Sequence, residues 1–110
     1  SIPAGALIAV TDEAGEPARP TIWLVALGTR ALEENLVLAQ ELRARGVVCG
    51  FAPEGGSLKA QLRAANKAGA AQVILRGDDE LARGMVVLKD MAAGTQQDVA
   101  ASEIVSRLAG

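Results

Sequence analysis

A row of three cations lies in the second half of the chain. Lys59, Arg63 and Lys67 follow i, i+4, i+8 spacing, which places side chains on one face of an α-helix, and Asn66 falls beside them. Such a face can contact the phosphates of a nucleic acid, but a cationic helix face is also typical of a solvated surface. The apolar stripe of the same helix is expected to pack on a sheet: Leu58, Leu62, Ala65 and Gly69.

Two short polar segments could also bind a ligand. Residues 55–57 (GGS) precede the cationic helix, and glycines at a helix N-terminus can let backbone N–H groups approach a phosphate. The chain contains neither GxxxxGK[ST] nor GxGxxG, so the simpler interpretation is a turn with Ser57 as the N-cap. Residues 78–80 (DDE) offer carboxylates for a metal or for acid–base chemistry. Adjacent side chains in a turn seldom converge on one point, which favours capping or solvent exposure.

Histidine and cysteine, the side chains of many nucleophilic and zinc sites, are nearly absent. The chain has no histidine and one cysteine, Cys49, which excludes a histidine-based triad, a zinc site with several cysteines or cysteine–histidine pairs, and an internal disulfide. Cys49 falls in an apolar segment, where a thiol is typically a small packing residue. The only aromatic residues, Trp23 and Phe51, also fall in predicted strands, so we interpret them as core residues rather than platforms for base stacking.

The composition indicates one folded domain. The chain has 110 residues, of which 50% are hydrophobic and 22% charged, with a net charge of −2. These values exclude the pattern of a disordered chain and the strongly basic balance of a protein that binds nucleic acid by charge alone. No apolar run approaches the roughly 18 to 20 residues of a membrane span. We therefore expect any nucleic-acid site to be local, with neither a membrane nor DNA as partner.

The N-terminal residues predict a location and a domain boundary. They lack the basic segment and long apolar stretch of a secretory signal, and with the single cysteine this favours a reducing cytoplasm. The chain begins at Ser1 without an initiator methionine, which suggests a fragment. Residues 12–20 (DEAGEPARP) combine charge, glycine and proline. We interpret residues 1–20 as an extension and linker, and residues 21–110 as the folded domain.

Hydrophobic patterns beyond residue 20 predict alternating strands and helices. Five strands are expected at residues 21–27, 47–52, 71–76, 85–90 and 95–99, and three helices at residues 30–45, 58–68 and 101–108. The helix between the first two strands predicts a βαβ unit, and residues 77–80 predict a polar turn. The sequence thus indicates an α/β fold whose sheet is at least partly parallel.

The first predicted helix has recognisable ends. Thr29 is its expected N-cap and Gly46 its expected stop. The side that packs on the sheet is expected to contain four residues: Leu32, Leu36, Ala39 and Leu42.

Three segments together resemble a known family. They are residues 22–28 (IWLVALG), 54–70 (EGGSLKAQLRAANKAGA) and 77–96 (GDDELARGMVVLKDMAAGTQ). They resemble the C-terminal anticodon-binding domain shared by the class II aminoacyl-tRNA synthetases for histidine, threonine, glycine and proline. The phrase S-L-K-x-Q-L at residues 57–62 and A-x-K at residues 65–67 favour the histidyl branch. The resemblance covers residues 21–108.

This resemblance implies a fold, a task and partners. The implied fold is a three-layer α/β domain with a mixed five-stranded sheet flanked by three helices. The implied task is recognition of the anticodon loop of tRNA-His by the C-terminal domain of a histidyl-tRNA synthetase. The parent enzyme would use ATP and Mg2+ to charge the tRNA, would place a catalytic domain before residue 21, and would form a homodimer. No cofactor is expected in this domain, and no catalytic site, because the class II catalytic motifs are missing.

The resemblance also implies which residues contact the tRNA. In the related threonyl enzyme, a glutamate in the G-D-x-E turn and a cation nine residues later read anticodon bases; these positions match Glu80 and Lys89. Both side chains must then be exposed on the same side of the molecule. Further tRNA contacts are expected from Ser57, Lys59, Gln61, Arg63 and Arg83, and Arg83 is also expected to help order the turn. Two alternatives stay open: a protein-interaction or dimerisation module of a synthetase-like regulatory paralogue, and a small nucleotide-binding α/β protein with its ligand at residues 55–57.

Overall fold

The first apolar segment of the folded domain forms the middle of the sheet. In the computed structural model, which describes residues 21–52 and 56–109, β1 (Ile22–Ala26) pairs in parallel with β2 (Cys49–Phe51) and β3 (Gln72–Arg76). Two antiparallel strands, β4 (Met85–Asp90) and β5 (Gln96–Ala100), extend the sheet to the order β2-β1-β3-β4-β5. The mixed five-stranded sheet is therefore confirmed.

Helices cover both faces of this sheet. Alternate residues of β1 point to opposite faces, so Ile22 and Leu24 pack with α1 (Thr29–Ala44) and α4 (Ile104–Ala109), whereas Trp23 and Val25 pack with α2 (Leu58–Ala68). All four of these β1 side chains are buried because each face is covered. The three-layer arrangement agrees with the expectation.

A fourth helix stands where the sequence predicted a turn. α3 (Asp78–Arg83) connects β3 to β4, so the structure has four helices in its described residues rather than the three expected. The Gly77 N–H donates to Glu80 Oε1 at 2.8 Å, and three acidic residues occupy the first turn, where the helix dipole favours negative charge. Gly84, at φ 66°, ends the helix in the left-handed conformation. The G-D-D-E segment is thus a helix start.

The predicted position of α1 was wrong by one residue. Thr29 is the first helical residue and not the N-cap, which is Gly28, and no side chain caps this end. The buried side of α1 is also shifted, because Leu36 is 41% exposed and Asn35 is 2% exposed. The residues that face the sheet are Ala31, Asn35, Leu38, Ala39 and Leu42.

The bounds of α2 agree with the prediction. Ser57 Oγ accepts a hydrogen bond from the Ala60 N–H at 3.1 Å, which confirms Ser57 as the N-cap, and Gly69 ends the helix at φ 75°. Its apolar side differs from the expectation, since Leu58 is 38% exposed and Gln61 is buried with Ala65.

Some sequence expectations fall outside the described residues. The linker at residues 12–20, the extension before it and Gly55 are among them. Within residues 21–52 and 56–109, none of the helices combines the length and hydropathy needed to cross a bilayer. The same part of the chain contains no cluster of three or more histidine, cysteine, aspartate or glutamate residues suited to hold a metal ion.

Candidate nucleic-acid interface

A crevice opens where the three parallel strands end. β1, β2 and β3 run in the same direction, so their carboxyl ends meet at one edge of the sheet. α1 and α2 begin at this edge, on opposite faces. The cavity between them has a volume of about 250 Å³. Its lining includes Ala26, Gly28, Thr29, Asn35, Gly56 and Gln61. In open α/β sheets this edge is the usual position of a ligand. We call this cavity the carboxyl-edge crevice.

Gln61 holds one wall of the carboxyl-edge crevice. Its Nε2 donates to the Ala26 and Gly56 carbonyl oxygens, both at 2.8 Å, and its Oε1 accepts from the Ala26 N–H at 3.1 Å. The residue is 2% exposed. Its amide therefore bonds to the main chain of the domain, although the sequence predicted a contact with RNA.

Asn35 forms part of the opposite wall and was not predicted as a site residue. Its Nδ2 donates to the Val25 carbonyl oxygen at 3.1 Å, while its buried Oδ1 has no hydrogen-bond partner among the described residues. A buried acceptor without a partner is uncommon and costs stability. The sequence contained a signal for it: Asn35 lies at helical spacing from Leu38, Ala39 and Leu42, on a side that is otherwise apolar.

The start of α1 supplies main-chain donors to the carboxyl-edge crevice. The N-cap Gly28 has φ 105°, a conformation that favours glycine, and it leaves the first turn without a side-chain cap. Backbone N–H groups of an uncapped first turn have no partner within the helix and attract acceptors and anions. Thr29 adds an exposed hydroxyl at the same point. Leu36 and Phe51 provide apolar surface beside these polar groups.

The predicted cations of α2 form an exposed surface next to the carboxyl-edge crevice. Lys59, Arg63 and Lys67 are all exposed, as is Asn66. None of the three cations forms an ion pair within residues 21–52 and 56–109. Their exposed side chains are therefore candidates for contacts with phosphates. We call these three residues the α2 cationic face; Ser57, which is also exposed, precedes it by two positions.

Glu80 is less exposed than the sequence predicted. Its side chain is 13% exposed and is committed to the Gly77 N–H and to Arg83, whose Nη2 lies 3.5 Å from Glu80 Oε2. Glu80 also lines a cavity of about 180 Å³ together with Arg30 and Glu34 of α1, on the α1 side of the sheet. The carboxylate thus stabilises α3 within the domain.

Arg83 joins α3 to the last strand. Its Nε lies 3.1 Å from Asp79 Oδ2, and its Nη1 lies 3.1 Å from Asp98 Oδ2 on β5. The hydrogen bond with Asp98 and the charges of both aspartates raise the pKa of Arg83. These contacts agree with an ordering role for Arg83, and they leave fewer of its donors for RNA.

Lys89 lies in β4, the strand that follows α3. It is in β4 directly opposite Val73 of β3, so it shares the α2 side of the sheet, where Val73 packs. Glu80 follows the end of β3, and the four residues from Val73 to Gly77 span about 13 Å at the usual rise of a strand. Glu80 and Lys89 are not in contact with each other among the described residues, and their shared reading site stays a prediction.

Cys49 behaves as a core residue. Its thiol is buried and lies 3.7 Å from the Ala39 carbonyl oxygen. Burial raises the pKa of the Cys49 thiol, and the nearby Arg43 guanidinium only partly offsets this effect. A neutral, enclosed thiol is a poor nucleophile. The structure therefore agrees with the packing role that the sequence indicated.

Comparison with known proteins assigns the family. The family model described as the anticodon binding domain matches residues 21–110. The chain belongs to this family. The matched residues of this anticodon-binding domain contain the carboxyl-edge crevice and the α2 cationic face.

Individual relatives carry synthetase names. A histidine–tRNA ligase of Solidesulfovibrio magneticus is 50% identical over 94 residues, which are 84% of this chain and 22% of that protein. The histidyl-tRNA synthetase structure from Nostoc sp. PCC 7120 has a TM-score of 0.74 at 27% identity, covering 84% of this chain and 21% of that one. The apo enzyme from S. aureus, at 22% identity and a TM-score of 0.79, has the same fold over 89% of this chain and 26% of its own. This anticodon-binding domain thus spans about a quarter of the length of the proteins it resembles.

Proposed function

We propose that this anticodon-binding domain recognises the anticodon loop of tRNA-His as part of a histidine–tRNA ligase. The observation that supports it most is the position of the α2 cationic face, which begins beside the carboxyl-edge crevice. A charged surface can follow the phosphates of a single strand, while an adjacent crevice with polar and apolar walls can receive an unstacked base. Duplex binders need no such crevice.

The two parts of this surface would act differently. Lys59, Arg63 and Lys67 contact phosphates and contribute affinity without regard to sequence. The carboxyl-edge crevice reads a base, through the main-chain N–H groups of the first turn of α1, the Thr29 hydroxyl and the apolar surface of Phe51. Its volume of about 250 Å³ is smaller than that of most sites for drug-sized ligands, which suits one base rather than a whole nucleotide.

The small number of exposed cations limits the affinity of this domain for RNA. If the three cations of the α2 cationic face each meet one phosphate, the logarithm of the binding constant falls with the logarithm of salt concentration with a slope of about −2. That is a modest electrostatic contribution for a chain whose net charge is −2. We therefore propose that the domain contributes discrimination, and that other parts of a longer protein bind the rest of the tRNA.

The names of the relatives support proposals about the parent protein. We place the chemistry of ATP and Mg2+, which forms histidyl-adenylate and charges the tRNA, in a catalytic domain of the parent chain rather than in residues 21–110. A cytoplasmic location and a homodimer of the parent are proposed with it. The tRNA contacts of Ser57, Lys89 and Arg83 also remain proposals. Lys89 has the stronger geometric support, because it lies on the α2 side of the sheet.

Titration of the 110-residue chain with two RNAs tests the proposal. One is the anticodon stem-loop of tRNA-His and the other has the same stem with a scrambled anticodon, both measured at low salt by fluorescence anisotropy. Tighter binding of the first is expected, by about five- to tenfold if one base is read through stacking and hydrogen bonds. Equal affinity for the two RNAs would refute base recognition.

A further inference from the structure

We infer that Gln61 is the positioning residue of the carboxyl-edge crevice, which it shapes through the main chain without touching RNA. This inference rests on the proposed function and changes the role predicted for Gln61 from direct contact to support. The side chain is 2% exposed, and its amide makes three hydrogen bonds, all to backbone atoms. Both Nε2 hydrogens are used, so no donor is left for a base or a phosphate.

The end of β1 explains why such a residue is needed. The Leu27 N–H donates to the Arg76 carbonyl oxygen on the β3 side, so the preceding residue, Ala26, directs its N–H and C=O to the β2 side. β2 ends at Phe51, which is opposite Leu24. Among the described residues, both backbone groups of Ala26 on the β2 side bond to Gln61, which takes the place that a neighbouring strand would have.

The third hydrogen bond extends this support to the start of α2. Gly56, whose carbonyl oxygen accepts from Gln61, adopts φ 103° and lies directly before the N-cap Ser57. One side chain therefore ties the approach to α2 to the last residue of β1, and both segments line the crevice. Without this link, the relative position of these two segments is no longer fixed.

Gln61 and the α2 cationic face lie on opposite sides of α2. Lys59 and Arg63 are two positions before and after it, and each is rotated by about 200° from Gln61 around the helix axis. When Gln61 bonds to β1, both cations must face away from the sheet, as they do in the structure. Base reading depends on the crevice walls, whereas the phosphate contacts depend only on exposure of the cations.

The test is the substitution Gln61→Met, which keeps a similar length but removes all three hydrogen bonds. Gln40→Met is the matched control, because Gln40 is exposed on α1. Circular dichroism first establishes the temperature range in which each variant is folded, and the two stem-loop RNAs are then titrated within that range. For Gln61→Met we expect binding of the matched loop to weaken on the order of tenfold, the loss expected for one base contact. Binding of the scrambled loop and the salt slope should stay unchanged.

Amide exchange provides the local measurement. The Ala26 N–H bonds to Gln61 Oε1, so its exchange should become faster in Gln61→Met and stay as in the unchanged chain for Gln40→Met. A purely structural role would weaken both RNAs alike, in proportion to the unfolded fraction. Discrimination that survives in folded Gln61→Met would overturn the inference while leaving the proposed function intact.

A second measurement needs no substitution and applies even if Gln61→Met does not fold. In the complex of the unchanged chain with the matched loop, we expect no nuclear Overhauser effect between the Gln61 side-chain amide protons and the RNA. A direct effect would overturn the positioning role. If the unchanged chain itself does not discriminate between the two RNAs, the proposed function fails, and the role of Gln61 in it fails as well.

Discussion

Removal of two charges from the α2 cationic face should weaken RNA binding while leaving the domain at least as stable. The perturbation is Lys59→Gln with Arg63→Gln. Both side chains are exposed, and neither forms an ion pair within the described residues. The two cations repel each other at i, i+4 spacing, and Lys59 lies in the first turn, where the helix dipole disfavours a cation. The free energy of unfolding should therefore rise slightly, by no more than about 0.5 kcal/mol.

The expected loss of affinity follows from the number of charges. Each phosphate contact to single-stranded RNA contributes about 0.7 to the slope of log K against log salt concentration, so two contacts contribute about 1.4. At 0.1 M salt this corresponds to about a 25-fold weaker binding constant, and at 1 M the difference vanishes. Both the matched and the scrambled loop should be affected equally, because phosphates contain no sequence information.

The assay is anisotropy titration over a series of salt concentrations. The matched control is Arg45→Gln with Arg107→Gln, which removes the same charge from α1 and α4 on the other face of the sheet. Those two arginines are exposed at the C-terminal ends of their helices, where a cation is favourable, so their loss should lower stability slightly and leave the salt slope unchanged. An equal change of slope in both double variants would refute the assignment of phosphate contacts to α2.

Two further predictions concern stability. Glu80→Ala removes the acceptor for the Gly77 N–H and should lower the free energy of unfolding in urea by about 1 kcal/mol, whereas Glu80→Gln keeps an acceptor and should lose less; an equal loss in both would contradict the capping role. The raised pKa of Cys49 means that the unfolded thiol ionises first, so the free energy of unfolding should fall as the pH rises above about 8.5. Cys49→Val should remove that decrease, and a decrease of the same size in both proteins would show that Cys49 does not cause it.

The elements that the sequence predicted well are those with local signals at both ends. α2 is bounded by Ser57, which satisfies an N–H of the first turn, and by Gly69, which adopts a conformation that other residues avoid. Neither effect depends on the rest of the fold. β1 also has a local signal, because its continuous apolar run indicates a strand that is buried on both faces.

The sequence contains weaker signals for the start of α1 and for α3. Thr29 is a common N-cap residue, but Gly28 reaches the φ of 105° found there, which a threonine would reach only under strain. α3 has only six residues, too short for a periodic pattern, and its acidic first turn resembles a solvated loop. Residue propensity alone does not distinguish a glycine N-cap from a threonine N-cap, or a six-residue helix from a turn.

The two buried amides of the crevice show a different limit of the sequence. Gln61 lies in a helix with cations on either side, and a polar residue there is ordinarily solvated. Its partners are backbone atoms of Ala26, 35 positions earlier, and of the approach to α2. A hydrogen bond to the main chain does not depend on the side chain of the partner, so the residue type of the partner does not reveal it. The role of Gln61 therefore became evident only from the position of α2 on the sheet.

The position of Lys89 on the sheet constrains how the RNA can be read. Lys89 pairs with Val73, three residues before the end of β3, so it lies about 10 Å along the strand from the carboxyl edge of the sheet. If Lys89 contacts RNA, it must meet a different nucleotide from the one in the carboxyl-edge crevice. The loop must then cross from the edge of the sheet onto the exposed surface of β4 and β5 beside α2. Lys89→Met should consequently alter discrimination at one loop position and Gln61→Met at another.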